Sequence, residues 1–155
     1  MNATANINRS LIFLLVLIQT CCITKVVHSK VLGKKLWPGQ GYEVHVVNNL
    51  TNGAVPLRIH CASGNTELGN HTLYPKGNFH WSFRMNYWFS TMFFCRFHWG
   101  ARNRAFEVFN KHLAANCEGP YEKELGNICY WSVQEDGFWI GYANPPPELL
   151  LVRLW

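Results

Sequence analysis

The stretch FFCRFHW at residues 93–99 has an apolar side chain or a cysteine at every second position, with Arg96 and His98 between them. A period of two is typical of a half-buried β-strand, because successive side chains point to opposite faces of a sheet. Cys95 lies on the apolar side of this pattern, so a disulfide formed by Cys95 would lie in the core. The stretch therefore predicts a strand with one face in the core and one face towards solvent.

The same alternation occurs in four other stretches, at residues 42–46, 57–61, 81–85 and 129–133. The segments between them carry Gly-containing turn signals, and no long stretch has a helical period. Residues 145–147 are three prolines, which cannot continue a central strand and precede a last strand at 149–155. We therefore predict an all-β fold, a disulfide-stapled antiparallel β-sandwich of about eight short strands, with residues 111–128 forming a loop.

The amino end predicts export from the cell. Arg9 precedes an uncharged apolar run at residues 11–18, which is shorter than the about 20 residues that span a bilayer. We assign residues 1–29 to a signal peptide, 30–41 to an N-terminal extension and 42–155 to the β-sandwich domain. Removing the signal peptide takes Arg9 and Lys25 and no acidic residue, so the formal charge falls from +5 to +3. We expect a secreted, extracellular and monomeric protein without membrane insertion, and this mild charge argues against nucleic acid as a partner.

Cysteine usage agrees with an oxidising compartment. The predicted mature chain keeps four cysteines, an even number that predicts two disulfides: Cys61, Cys95, Cys117 and Cys129. Four cysteines allow three pairings, and the sequence leaves all three open. None of the four belongs to a C-x-x-C pair and the histidines have no ligand spacing, so we expect neither a metal site nor a cofactor.

Two triplets are acceptors for N-linked glycans: Asn49-Leu50-Thr51 and Asn70-His71-Thr72. Both asparagines lie near the ends of predicted strands, where the chain is accessible. We expect glycosylation at Asn49 and Asn70 in a secreted product.

No catalytic motif is visible in the sequence, and we predict that the protein is not an enzyme. Asp136 is followed by Gly137, a pair that suits a turn better than an acid–base dyad. His45, His80 and His98 fall on outward strand positions, where we expect solvated side chains. No G-x-S-x-G elbow, phosphate-binding glycine loop or H-E-x-x-H helix is present.

Several motifs together resemble one family. In order along the chain they are HCAS at 60–63 with LG at 68–69, WSF at 81–83, FCRF at 94–97 with Trp99, FEVF at 106–109, and CYWSV at 129–133 with DG at 136–137. They resemble the plant self-incompatibility S proteins of the poppy type and their homologues, over roughly residues 42–155.

The resemblance implies a secreted β-sandwich with two disulfides. It also implies a ligand recognised by a cell-surface receptor protein, since the founding members are pistil ligands that a pollen membrane protein recognises when self pollen is rejected. This chain departs from the usual pattern in its tripled proline and in the longer segment between Cys117 and Cys129. Those departures bear on partner specificity and not on the fold.

Loops between strands are the expected place for partner specificity, because alternate strand residues are committed to the core. The charged candidates in loops 100–105, 111–128 and 135–137 are Arg102, Arg104, Lys111, Glu118, Glu122 and Asp136. An alternative is an extracellular polyanion-binding module for glycan or nucleic acid, in which Arg96 and His98 act with the nearby basic residues of these loops. For the aromatic stretch at residues 87–89 we expect a role in capping the core, and presentation of a contact surface is the alternative.

Overall fold

The structure is a computed structural model that describes residue 36 and residues 38–117 and 127–155. The predicted signal peptide and most of the predicted extension lie outside the described residues. Within these residues nine strands follow one another: β1 (Gly41–Asn48), β2 (Leu57–Ser63), β3 (Glu67–Leu73), β4 (Asn78–Arg84), β5 (Phe93–Trp99), β6 (Arg102–Phe109), β7 (Asn127–Val133), β8 (Gly137–Gly141) and β9 (Leu150–Leu154). A single turn of 3-10 helix, Leu113–Asn116, lies between β6 and β7.

The strands form two sheets, and their order is β4-β1-β7-β8-β9 in one and β3-β2-β5-β6 in the other. The predicted all-β sandwich is confirmed. The described part of the chain has nine strands instead of about eight, and the β1–β7 pair is parallel, whereas the sequence predicted antiparallel strands throughout. A parallel pair needs a long connection, and here strands β2 to β6 lie between its two members.

The five alternating stretches correspond to β1, β2, β4, β5 and β7, and the stretch after the prolines contains β9. The sequence missed β3, β6 and β8 as strands. Residues 102–105 of β6, expected in a loop, are all exposed because β6 lies at a sheet edge, so they show no alternation. The predicted loop at 111–128 contains the 3-10 turn at its start and the first residues of β7 at its end.

The core lies between the two sheets and is built from aromatic rings. Phe97 of β5 and Phe138 of β8 belong to opposite sheets, and their ring centroids are 4.8 Å apart. Trp131 of β7 is fully buried, packs on Phe106 with ring centroids 5.4 Å apart, and donates its indole N–H to the backbone carbonyl of Val108 at 2.8 Å. This hydrogen bond joins the five-stranded sheet to β6 of the four-stranded sheet.

Both disulfides are formed, which answers the question of pairing. Cys61 bonds to Cys95, its direct neighbour across the β2–β5 ladder, with Cα atoms 4.1 Å apart. Cys117, just after the 3-10 turn, bonds to Cys129 of β7, with Cα atoms 4.3 Å apart. All four cysteines are fully buried. The first disulfide reinforces one sheet, and the second holds the segment after β6 against the other.

The segment that contains the three prolines packs on part of the outer face of the five-stranded sheet. A Cβ atom on Gly141 would lie 2.5 Å from the side chain of Pro146, so glycine lets this segment pack directly on β8. Asn144 reaches across to within 3.3 Å of Nδ1 of His45. The expectation that His45 is solvated is therefore wrong, because only 5% of His45 is exposed.

His45 is enclosed by polar and aromatic neighbours. Nδ1 accepts from the amide of Asn78 at 3.0 Å, and Nε2 lies 3.4 Å from the carboxylate of Glu43. The ring stacks on the exposed His80 and on Tyr130, with centroids 5.1 and 6.4 Å away. Burial lowers the pKa of His45 below its usual value, and this outweighs the opposing attraction of Glu43.

We expect replacement of Trp131 by Phe to lower the free energy of unfolding by about 2 to 3 kcal/mol. The change removes buried ring volume and leaves the carbonyl of Val108 without its indole donor. Urea unfolding followed by circular dichroism, with the disulfides intact, measures this. Trp88→Phe is the matched control, since Trp88 is 80% exposed, and its effect is expected within about 0.5 kcal/mol. Equal effects of the two variants would contradict the proposed importance of the Trp131 contact.

We also expect stability to fall as the pH drops below about 6.5, the usual pKa of histidine. Below this pH, His45 of the unfolded chain binds a proton, whereas His45 of the folded protein stays unprotonated down to its lower pKa. The free energy of unfolding therefore falls as the pH decreases from the unfolded pKa to the folded pKa. Urea unfolding from about pH 8 to about pH 5 should show a smaller fall for His45→Gln than for the wild type. His112→Gln, at an exposed histidine, should keep the wild-type profile. A His45→Gln profile equal to the wild type would contradict this prediction.

Candidate functional site

One end of the sandwich brings together three of the six residues predicted to bind a partner. The β5–β6 turn, the β7–β8 turn and the carboxyl end of the chain meet there. Arg102, Arg104, Glu135, Asp136 and Trp155 line a shallow depression of about 630 Å³, which we call the Arg102 surface. It presents charges of both signs beside a large aromatic ring.

Backbone carbonyls hold the cations of the Arg102 surface in place. The guanidinium of Arg102 donates to the carbonyl of Glu135 and lies 5.1 Å from the ring centroid of Trp99. Arg104 donates to the carbonyl of Trp155 at 2.8 Å, and the indole of Trp155 donates to the carbonyl of Gln134 at 2.6 Å. A guanidinium has five N–H donors. Each arginine is therefore positioned by its hydrogen bond to the backbone and still has donors available for a partner.

Asp136 is held by the tight turn between β7 and β8. The backbone of Gln134 and Gly137 exchanges both hydrogen bonds, so Glu135 and Asp136 form the loop. The indole of Trp139 donates to Asp136 at 3.0 Å. A Cβ atom on Gly137 would lie 2.2 Å from the carbonyl oxygen of Arg153, so only glycine allows β9 to approach the turn this closely.

The other three predicted residues are not part of this surface. Lys111 follows the far end of β6 and lies at the opposite end of the sandwich. Glu118 and Glu122 lie outside the described residues. Arg102 and Arg104 themselves belong to strand β6 and not to a loop, which corrects the expectation for residues 102–105. The role of all six residues in partner binding stays a prediction.

A second surface was not predicted from the sequence as one cluster. Four side chains on the outer face of the four-stranded sheet surround a concavity of about 450 Å³, and we call them the basic face: Arg58, His60, Arg96 and His98. Arg58 lies opposite His98, and His60 lies opposite Arg96, in the β2–β5 ladder. The alternation in β2 and β5 placed each of them on an outer face, but only the register shows that they are neighbours.

The loop between β4 and β5 divides its aromatic residues between the core and solvent. Phe89 packs against the core, as predicted for a capping residue. Tyr87 and Trp88 are 71% and 80% exposed, so the capping expectation is wrong for these two. Asn86 accepts from the backbone N–H of Ser90 at 2.8 Å, which holds the loop that presents them.

The two predicted glycosylation sites differ in their surroundings. Asn70 of β3 is exposed, and its side chain has no hydrogen-bond partner among the described residues. Asn49 is half-buried at the end of β1, donates to Ser132 at 2.8 Å and accepts from Lys76 at 3.1 Å. A glycan on Asn70 is accommodated without losing a contact, whereas one on Asn49 must replace a hydrogen of an amide that is already engaged.

Residues 38–117 and 127–155 contain neither a cluster of metal ligands nor a membrane-spanning helix. No group of three or more His, Cys, Asp or Glu side chains is arranged there to hold a metal ion. No helix in that part of the chain has the length and apolarity needed to cross a bilayer.

The fold and its surfaces define a disulfide-bonded β-sandwich that offers open surfaces at its rim and on one sheet. The family model described as plant self-incompatibility protein S1 matches residues 43–153. The chain belongs to this family, so the predicted resemblance is confirmed. Membership also confirms the predicted extracellular localisation, and the family is not one known for enzymes.

Several relatives support this assignment. S-protein homolog 5 of Arabidopsis thaliana is 32% identical over 93 residues, which cover 59% of this chain and 66% of that protein. S-protein homolog 19 of Arabidopsis thaliana is 31% identical over 104 residues, or 66% of this chain and 70% of that protein. The chain thus spans about two thirds of the length of these relatives.

A solved structure of self-incompatibility protein homologues is also similar. It is described as representing a widespread family of small, highly stable, secreted proteins from plants. It has a TM-score of 0.48 and 21% identity, and the alignment covers 72% of this chain and 93% of that one.

We expect the glycan of the secreted protein to be carried mainly by Asn70. Enzymatic removal of N-linked glycans should lower the mass of the wild type and of Asn49→Gln, and should change the mass of Asn70→Gln little, because the folded chain leaves the Asn70 amide free. Mass spectrometry of the three secreted proteins measures this. A mass loss that persists in Asn70→Gln and disappears in Asn49→Gln would show the opposite preference.

Proposed function

We propose that this protein is a secreted ligand that a receptor protein on a cell surface recognises through the Arg102 surface, without catalysis. The observation that carries the proposal is the arrangement of Arg102, Arg104, Asp136 and Trp155 around one depression, with both guanidiniums held by backbone carbonyls. Membership of the self-incompatibility protein S1 family supports a role in recognition between cells.

The chemistry of the Arg102 surface suits a protein partner. Arginine and tryptophan are the residues that most often dominate binding energy at protein interfaces. Charges of both signs discriminate between partners, because a mismatched partner brings like charges together. The side chains are also positioned before binding, which reduces the entropy lost when a complex forms.

Recognition between pollen and pistil is the setting that the family description supports. In this proposal the receptor lies on the responding cell, and the sandwich serves as a rigid carrier of the Arg102 surface. Differences in the turns at this end would then change the partner without changing the core.

Binding of polyanions is a second candidate function, and it uses a different surface. The sequence suggested one basic patch made of Arg96, His98, Arg102, Arg104 and Lys111. In the structure these residues are divided between the basic face, the Arg102 surface and the opposite end of the sandwich. The observation that favours this second function is the cluster of Arg58, His60, Arg96 and His98 around one concavity.

We expect the double variant Arg102→Gln, Asp136→Asn to lose at least about tenfold in affinity for its receptor, because both side chains would lie at the centre of the interface. Saturable binding of the labelled protein to plasma membranes from floral and vegetative tissues measures this. The amide that Asp136→Asn introduces can still accept from Trp139, and Arg102 is exposed, so the fold should survive, which thermal unfolding checks.

The matched control is Arg84→Gln, Glu107→Gln, which removes one charge of each sign from exposed positions elsewhere. The control should bind as the wild type does. Equal affinity of the test variant and the wild type would exclude the Arg102 surface as the contact. Absence of saturable binding to membranes of every tissue would contradict the receptor-ligand function itself.

A further inference from the structure

The basic face is part of a regular grid of outward side chains on the four-stranded sheet. One row across β3, β2, β5 and β6 contains Thr72, Arg58, His98 and Asn103, and the next contains Asn70, His60, Arg96 and Ala105. Neighbouring positions within a row are about 5 Å apart, and successive rows are about 7 Å apart. Two arginines and two histidines thus occupy the four central positions.

The two arginines of this grid have no partner in the described parts of the chain. Arg58 and Arg96 are exposed, and no described residue forms a hydrogen bond or an ion pair with either guanidinium. Each lies directly opposite a histidine, an arrangement that becomes less favourable when the histidine is protonated. The two guanidiniums therefore form no stabilising ion pair within the described fold, whereas an anionic ligand would supply one.

Carboxylates border the grid but do not neutralise its arginines. The adjoining row contains Glu67, Ala62, Phe94 and Glu107. Glu67 pairs with His60 at 2.8 Å, and Glu107 bonds to Asn110. These acidic side chains mark the limit of the positive surface on that side.

Phe94 adds an apolar contact to this charged surface. It is 40% exposed and precedes Arg96 along the outward line of β5. A sugar ring has an apolar face of C–H groups, which packs on an aromatic ring, while its carboxylate can bind a guanidinium through two hydrogen bonds. An inorganic anion would use the arginines but not Phe94.

We infer that the basic face binds an acidic oligosaccharide, with carboxylates of the ligand on Arg58 and Arg96 and a sugar ring on Phe94. This inference deepens the second candidate function and is independent of receptor recognition, because the basic face and the Arg102 surface share no residue. An extracellular protein meets carboxylate-rich polysaccharides in the plant cell wall. Asn70 belongs to the same grid, so a glycan there would lie beside the bound oligosaccharide.

The test measures binding of an oligogalacturonate to the secreted protein by calorimetry, at physiological salt and after enzymatic removal of N-linked glycans. Arg58→Gln and Arg96→Gln should each lower the affinity about tenfold, since a hydrogen-bonded charge is lost. Phe94→Ser should weaken the oligogalacturonate without changing the binding of sulfate. The fully methyl-esterified oligosaccharide, which lacks the charges, should not bind.

The matched control is Arg84→Gln, Arg153→Gln, which removes two positive charges from the other sheet and should bind as the wild type does. Thermal unfolding verifies that each variant is folded. The control is compared with the double variant that combines Arg58→Gln and Arg96→Gln. If the two lose affinity equally, the attraction comes from net charge and the assigned site is wrong. If single-stranded DNA binds as tightly as the oligogalacturonate, the assigned ligand class is wrong. If no polyanion binds at all, the polyanion-binding function itself fails.

Discussion

The hydrogen bond from the indole of Trp131 to the carbonyl of Val108 is the contact on which the two-layered structure depends most directly. It joins the middle strand of one sheet to the edge strand of the other, in a region from which water is excluded. A buried carbonyl without a donor is costly, so the indole both fills the core and satisfies the backbone. The ring cluster of Phe97, Phe106 and Phe138 packs around this point, and the sheets are thereby held in one relative position.

The two outer faces of the sandwich are used differently. On the five-stranded sheet, the segment with the three prolines reaches His45 through Asn144, and only 5% of His45 is exposed. On the four-stranded sheet, nothing in the described chain covers the basic face, and its arginines remain open to solvent. Burial lowers the pKa of the enclosed histidine, whereas solvation allows the arginines to stay charged without a protein partner.

The two proposed binding surfaces are separate, and this has a functional consequence. The Arg102 surface lies at one end of the sandwich, where turns and the carboxyl end of the chain meet. The basic face lies on the broad side of one sheet. A receptor at the end would leave the broad side free, so the protein could be held by an acidic polysaccharide near the cell while the receptor binds it. Local retention of this kind raises the concentration that the receptor experiences.

The sequence by itself determined the fold class, most of the strands, the four core cysteines and the family, because alternation and motif order are local properties of the chain. It did not reveal β3, which contains Gly69 and alternates poorly, or the exposed edge residues of β6. Tertiary structure alone decided which cysteines pair and that His45 is buried. It also decided that Arg58 lies beside His98 and that Arg102 lies beside Asp136. These depend on strand register and on segments distant in sequence, for which the alternation of a single strand carries no information.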